Sequence, residues 1–160
     1  MDAAAKQTVL QRFPYGLYIV TVAAGGEEHG MTANWVTQAA FEPAMIAIAV
    51  ENTSKTIGMI RDAHYFGVSL LTAGQRDLAG KLGRASDQAP NKLKGIKTKP
   101  APVSKTPVLA DALGWVECRV IASLPAGDHT LVLGEVVGAG VESPDAQALT
   151  LQETGFKYSG

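Results

Sequence analysis

Gly30-Met31-Thr32-Ala33-Asn34-Trp35-Val36-Thr37-Gln38-Ala39-Ala40 is the stretch on which the fold of this chain turns. Apolar and polar side chains interleave along it with a period near two, so that Met31, Ala33 and Trp35 share one face and Thr32, Asn34, Val36 and Gln38 the other. A strand that carries small hydroxyl and amide groups on one face can hydrogen-bond the edge of a flat heteroaromatic ring without crowding it. After Phe41-Glu42-Pro43 comes an apolar run, Ala44 to Val50, and then Asn52-Thr53-Ser54-Lys55-Thr56, directly before a predicted helix over Ile57 to Arg61. The free N–H groups of a helix start, two hydroxyls and an ammonium suit a phosphate. A polar strand edge and a phosphate cradle in one strand-turn-strand-turn unit suggest a seat for flavin mononucleotide (FMN).

Working outward, Ala3 to Gln11 is rich in helix formers and is stopped by Pro14. Gly16 to Ala24 reads as a strand ending at Gly25-Gly26, a turn leading back into the organising strand. Ala44 to Val50 has no polar face and is expected to be a central strand covered on both sides. Thr56 to Asp62 reads as helix, Tyr65 to Leu71 as strand, and Gln75 to Leu82 as a second short helix closed by Gly83. Ala112 to Ser123 alternates, and the set Gly114, Val116, Cys118, Val120 and Ala122 is expected to face the core. Pro125 to Asp128 supplies turn chemistry, and His129 to Val141 returns antiparallel, with Gly134, Gly138 and Gly140 permitting bulges or sharp coiling. Many strands, few helices and abundant glycine predict a mainly β protein built as a small antiparallel barrel.

Between Arg84 and Pro107 the character changes to prolines and lysines. This is expected to be a surface excursion within the domain, solvated first and, as a second reading, a lid that meets the phosphates of a dinucleotide. A chain of 160 residues suits one domain, and its single cysteine, Cys118, excludes an intrachain disulfide framework. No apolar run approaches the roughly 20 residues of a membrane helix. A soluble, cytoplasmic protein is therefore expected. The formal net charge of −1 gives no general attraction to nucleic acid or acidic membranes. No Gly-x-Gly-x-x-Gly or Gly-x-x-x-x-Gly-Lys motif is present, so neither a Rossmann domain nor a P-loop is expected. His29, His64, His129 and Cys118 are too widely spaced for a closed zinc pattern, and no metal site is expected. Gly80-Lys81-Leu82-Gly83 matches an RNA-binding loop only in letters; a glycine closing a short helix explains it more simply.

Phe13-Pro14-x-Gly16, the GMTANWVTQAA stretch, the strand begun by Pro43, Asn52 to Thr56 and the later Gly127-Asp128-His129 together resemble the flavin-reductase-like family, built on the FMN-binding split barrel. The closing Glu153-Thr154-Gly155-Phe156-Lys157-Tyr158 is similar to the tails of such domains in flavodiiron proteins. The resemblance covers nearly the whole chain. It implies one domain over residues 1–160, a Greek-key antiparallel split barrel with a few short helices, and a homodimer with the flavin near the subunit seam. It also implies transfer of hydride from NADH or NADPH to FMN, and onward passage of electrons to free flavin, a partner oxygenase or another acceptor. By motif position Thr32, Ala33, Asn34, Trp35, Val36 and Thr37 belong to the ring, Asn52, Ser54, Lys55 and Thr56 to the phosphate end, and His129 to the nicotinamide side. The family often carries a serine or cysteine where this chain has Trp35.

Each of these residues also has a plainer role. Asn34 and Thr37 suit an exposed strand face, Ser54 and Thr56 suit helix caps, Trp35 suits a core or a subunit interface, His129 a turn, and Cys118 an apolar filler. Trp35 and Trp115 are the two residues expected to be covered by a partner subunit. The competing functions are an FMN-binding electron carrier or sensor that takes no hydride from a nicotinamide and, less favoured by motif order, a pyridoxamine-phosphate oxidase-like role.

Overall fold

The computed structural model describes residues 1–158. Its elements in chain order are α1 (Ala3–Leu10), β1 (Tyr18–Ala24), β2 (Glu27–Ala33), β3 (Val36–Phe41), β4 (Ala44–Glu51), α2 (Lys55–Ala63), β5 (Tyr65–Leu70), α3 (Arg76–Leu82), β6 (Thr98–Pro100), β7 (Pro107–Leu109), β8 (Gly114–Ala126), β9 (His129–Val141) and α4 (Leu151–Thr154). Seven strands form one antiparallel sheet in the order β2-β1-β5-β8-β9-β4-β3, and β6 and β7 form a separate hairpin. The mainly β, antiparallel architecture agrees with the expectation from sequence. No helix among the described residues is long and apolar enough to cross a membrane.

The Gly30–Ala40 stretch departs from expectation in an informative way. It is two strands, not one: β2 stops at Ala33, Asn34 and Trp35 lie outside any strand, and β3 starts at Val36. β2 and β3 are the two opposite edges of the sheet, so these two residues carry the chain across the gap that splits the curled sheet. The Trp35 carbonyl accepts from Ala49 N–H at 3.0 Å, which docks the crossing on β4. Val36 then pairs with Ile48 and Thr37 with Ala47.

β1 and β2 close through Gly25-Gly26, both at positive φ (59° and 81°), a two-residue loop between the paired Ala24 and Glu27. The inner face of the sheet and the apolar side of α2 make the main core, with Val20, Val22, Ile48, Val50, Ile57, Ile60, Phe66, Cys118 and Val132. Cys118 is fully buried as an apolar filler, and burial together with Glu117 pushes its thiol up to about 12. A second core, with Leu17, Ile19, Leu71, Leu82, Leu109 and Leu149, lies under α3. Gly83 ends α3 as expected but in ordinary right-handed backbone, φ −76°.

Three expectations are corrected. β4 is hydrogen-bonded on both edges, yet Met45, Ala47 and Ala49 on its outer face are only half-buried, because none of the described residues covers the outer face of β4 and β9. The glycines of β9 are not the bulges. The register shifts skip Val137 and Ile121, whereas a Cβ on Gly134 would sit 2.6 Å from the Phe66 ring and one on Gly140 2.5 Å from Trp115. These glycines make floors for aromatic rings. Finally, Trp115 and Glu117, on the face of β8 opposite the one expected to face the core, are both buried within the chain.

What covers that face is the Arg84–Pro107 excursion, which is only partly a solvated surface. Ala101 and Val108 pack on Trp115, whose Nε1–H donates to Glu142 at 2.8 Å, so Trp115 is covered by its own chain and not by a partner. The Glu117 carboxylate accepts from Val103 N–H (3.1 Å), Ser104 N–H (2.5 Å) and the Ser104 hydroxyl (2.5 Å). Lys92, counted with the solvated lysines, is 5% exposed and donates to the carbonyls of Leu82 (3.0 Å) and Arg84 (2.7 Å) at the end of α3. Glu117→Ala leaves two backbone N–H groups and a hydroxyl without their acceptor. It is expected to cost about 2–4 kcal/mol in urea unfolding and to speed hydrogen exchange at Val103 and Ser104 selectively.

Candidate functional site

A cleft of about 850 Å³ opens where the barrel is split. One wall is Met31, Thr32 and Ala33 of β2 with the Asn34-Trp35 crossing, and the floor is Ala49 and Glu51 of β4. Thr53, Ser54, Lys55 and Thr56 form one end. The opposite wall runs from Gly80 through Gly83 to Asp87, and Phe156, Lys157 and Tyr158 line the mouth. The residues expected at a phosphate and those expected along a ring edge thus border a single cavity.

The phosphate end follows from the local sequence. Ser54 sits in extended backbone and caps α2, its Oγ accepting from Ile57 N–H at 3.4 Å. Capping and anion binding draw on the same N–H groups, so both readings of Ser54 hold geometrically. The Lys55 ammonium pairs with Glu27, whose carboxyl it holds below its ordinary range through a hydrogen bond. Both side chains are more than two-fifths exposed, so this pair is screened and weak, and the ammonium is free to exchange a carboxylate for a phosphate. Thr56 is buried at the cleft wall.

Along the ring edge, Thr32 donates to the Ala79 carbonyl at 2.6 Å and ties β2 to α3. Asn34 is buried and donates from Nδ2 to the Tyr158 carbonyl at 3.3 Å. The Nε1–H of Trp35 is buried and has no acceptor among the described residues. A buried N–H without a partner costs about 1–3 kcal/mol, and an acceptor at the edge of a bound ring removes that cost. This orphaned donor, beside Asn34 and in the same cleft as the phosphate end, is the observation by which the site fits a flavin.

The cleft does not gather every residue in the sequence-based set. Val36 points into the main core against Ile48, and Thr37 faces outward opposite Ala47. Asn52 braces the end of β4 against the β8–β9 hairpin, donating to the Gly127 carbonyl at 3.0 Å and accepting from Thr130 at 2.7 Å. His129 lies behind Trp35, with ring centroids 4.7 Å apart. Its Nδ1 is 2.7 Å from Asp128 Oδ1 and its Nε2 is 2.9 Å from the Tyr158 hydroxyl. Among the described residues, no cluster of three or more histidine, cysteine or acidic side chains is placed to hold a metal ion.

Sequence reasoning missed Gly80, Gly83 to Asp87, Lys92 and the Phe156–Tyr158 arm as cleft residues. The only sequence signal for the first group was the loose Gly-Lys-Leu-Gly pattern, and for Lys92 the second reading of the lysine-rich excursion.

The flavin reductase like domain family matches residues 10–160, and the chain belongs to this family. It is 33% identical over 130 residues to an NADH-dependent flavin reductase of Rhodococcus sp., covering 79% of this chain and 70% of that protein. It is 31% identical over 138 residues to a diflavin flavoprotein A 3 of Nostoc sp., covering 86% of this chain but only 24% of that much longer protein. Among solved structures it is similar to the NADH:FAD oxidoreductase SgcE6 of Streptomyces globisporus C-1027 in complex with NAD and FAD fragments. The TM-score is 0.86 and the identity 28%, covering 99% of this chain and 93% of that one.

His29, on β2, carries a further buried ring nitrogen, Nε2, without a partner. Burial, then Lys92 and Lys55, push its imidazole down to about 4. An unfolded histidine titrates near pH 6.5, so between pH 6.5 and 4 the unfolded chain takes up a proton that the folded chain refuses. Stability present above pH 6.5 therefore falls as the pH drops towards 4. Urea melts at pH 7 and pH 4.5 are expected to differ by about 1–3 kcal/mol more in the wild type than in His29→Leu.

Proposed function

We propose that the protein is an NAD(P)H:flavin oxidoreductase that holds FMN in the split of the barrel, receives hydride from NADH or NADPH, and passes electrons to free flavin, a partner oxygenase or another acceptor. The observation that carries this reading is the orphaned Trp35 N–H beside Asn34, in one cleft with the Ser54–Thr56 end. A phosphate there would be met by the hydroxyls of Ser54 and Thr56, the first N–H groups of α2 and the Lys55 ammonium. The amide of Asn34 and the indole N–H of Trp35 would hydrogen-bond the polar edge of the ring and orient it. Gly80 and Gly83 line the α3 wall opposite the ring edge. Bound flavin supplies the two-electron chemistry. What the chain supplies is binding and orientation. His129 acts on the nicotinamide side, positioning the donor through its ring.

An anaerobic titration tests the function. Purified protein with FMN is expected to bleach on mixing with NADH or NADPH; a yellow protein that stays oxidised with both donors identifies a carrier. The carrier reading has one observation in its favour, the Tyr158 phenol that lies against His129. Lys55→Ala with Thr56→Ala is expected to weaken FMN binding by about 1–3 kcal/mol, read by quenching of flavin fluorescence. Equal affinity in the variant and the wild type rules out the assigned phosphate end.

The same reading includes a homodimer, supported by the uncovered outer face of the sheet. Across β4, β9 and β8, Ala49, Leu131 and Leu124 form one cross-strand row and Ala47, Leu133 and Ala122 the next. Leu124 is 62% exposed and Leu131 38%, an apolar patch of the kind partners cover. The patch borders the cleft through Ala49, which would put the bound ring near the seam. A stable interface needs about 1,000 Å² or more. Light scattering at micromolar concentration is expected to give a dimer for the wild type and a monomer for Leu124→Glu with Leu131→Lys.

A further inference from the structure

One corner of the cleft is built in a way that the proposed reaction does not by itself require. Trp35 and Tyr158 line it and His129 lies behind them, with ring centroids 4.7 Å (Trp35–His129), 5.3 Å (Trp35–Tyr158) and 6.2 Å (His129–Tyr158) apart. Tyr158 comes from the far end of the chain. Its carbonyl accepts from Asn34 at 3.3 Å, and its hydroxyl lies 2.9 Å from His129 Nε2. The other nitrogen, Nδ1, is 2.7 Å from Asp128, whose carboxyl is held below its ordinary range by that contact. An ionised carboxylate only accepts, so Nδ1 carries the hydrogen, and a neutral ring then accepts the Tyr158 O–H at Nε2. Both ring nitrogens are in use, and the imidazole is 8% exposed. While Tyr158 is in place, His129 offers nothing to a ligand, and the edge of the phenol covers Trp35.

The anchor of this arm lies one residue further back. α4 ends at Gly155 with φ +71°, and Phe156 is clamped, its ring under the Arg76 guanidinium (5.1 Å) and its Cζ 3.4 Å from where a Cβ on Gly80 would stand. Among the described residues, Tyr158 is held beyond Phe156 by the Asn34 and His129 hydrogen bonds and the two ring contacts, and it is 45% exposed. Two hydrogen bonds at a partly wet site are a weak hold that thermal motion breaks and remakes.

We infer that Tyr158 decides the admission of the second aromatic ring: the nicotinamide of the donor reaches His129 and the face of Trp35 only when the phenol swings out of this corner. The inference rests on the flavin-reductase reading above. Tyr158 is in this sense a specificity-determining residue. It sets the cost of binding a flat donor beside the flavin, and it keeps the imidazole of His129 in one tautomer until the donor arrives.

The experiment compares wild type, Tyr158→Phe and Tyr158→Ala. FMN affinity is read by flavin fluorescence, and the affinity of the FMN-loaded protein for NAD+, which cannot reduce it, by calorimetry. The ring nitrogens of His129 are read by 15N NMR without flavin. If the corner is closed most of the time, Tyr158→Ala tightens NAD+ roughly five- to tenfold, the factor by which a ligand's affinity is reduced when its competent state is 10–20% populated. FMN affinity changes far less. Tyr158→Phe keeps the ring but loses the hydroxyl, so it falls between the two and shifts the Nε2 resonance. Unchanged or weaker NAD+ binding in Tyr158→Ala, with FMN still bound, overturns the inference and leaves Tyr158 as a wall or a donor contact. Failure of all three proteins to bind FMN removes the flavin reading itself, and this inference with it. An unmoved His129 resonance in Tyr158→Phe also overturns it, whatever the ligands do.

Discussion

The fold depends on one crossing. At Asn34-Trp35 the chain leaves one edge of a seven-stranded sheet and enters the other, so the sheet curls without closing its hydrogen-bond ladder. The single backbone bond from Ala49 N–H to the Trp35 carbonyl, 3.0 Å long, holds that crossing to β4. An open seam between two strand edges leaves backbone and side-chain polar groups facing a gap. Such groups are satisfied by cover, by water or by a ligand. Here α2, α3 and Phe156 to Tyr158 stand around the gap without filling it, and the cleft is what remains.

The same crossing explains why so few side chains make the site. The end of β2 borders the gap through Met31, Thr32 and Ala33, while β3, only two residues later, points Val36 into the core and Thr37 away from the cleft. Two residues of irregular backbone reverse the neighbourhood of everything beyond them. Around this seam, charge is used sparingly. Lys92 and Glu117 are buried, and each is satisfied mainly by backbone groups: the ammonium by two carbonyls at the end of α3, the carboxylate by two N–H groups of the excursion. Buried ions that bind backbone fix the course of a loop, since no other placement of the loop satisfies them.

Much of this was legible in the residues. Period-two alternation and the Gly25-Gly26 and Gly127-Asp128 turns located the strands, and Ser54-Lys55-Thr56 before an apolar helical pattern located α2 and its cap, because these are local signals a few residues long. The break at Asn34-Trp35 was not legible, because alternation continues through it and only pairing with distant strands shows which edge each half joins. The burial of Trp115 and Glu117 was hidden for a related reason: alternation tells which side chains share a face and says nothing of what lies over that face. Lys92 looked like its exposed neighbours, because nothing in the local sequence marks that its ammonium reaches the carbonyls of Leu82 and Arg84 at the end of α3.

By itself, then, the sequence determined the class of fold, the family and the capped start of α2, since alternation, turn residues and a helix cap act over a few residues. Only the tertiary structure decided which residues share the cleft. It brought the Gly80–Asp87 wall, Lys92 and Tyr158 to Asn34 and Trp35, set Val36, Thr37 and Asn52 apart from them, and put His129 behind Trp35 under the hydroxyl of Tyr158. The physical reason is range. A hydrogen bond such as Asn34 to Tyr158 joins positions far apart in the chain, and its partners are chosen by how the barrel fails to close, which no local stretch records.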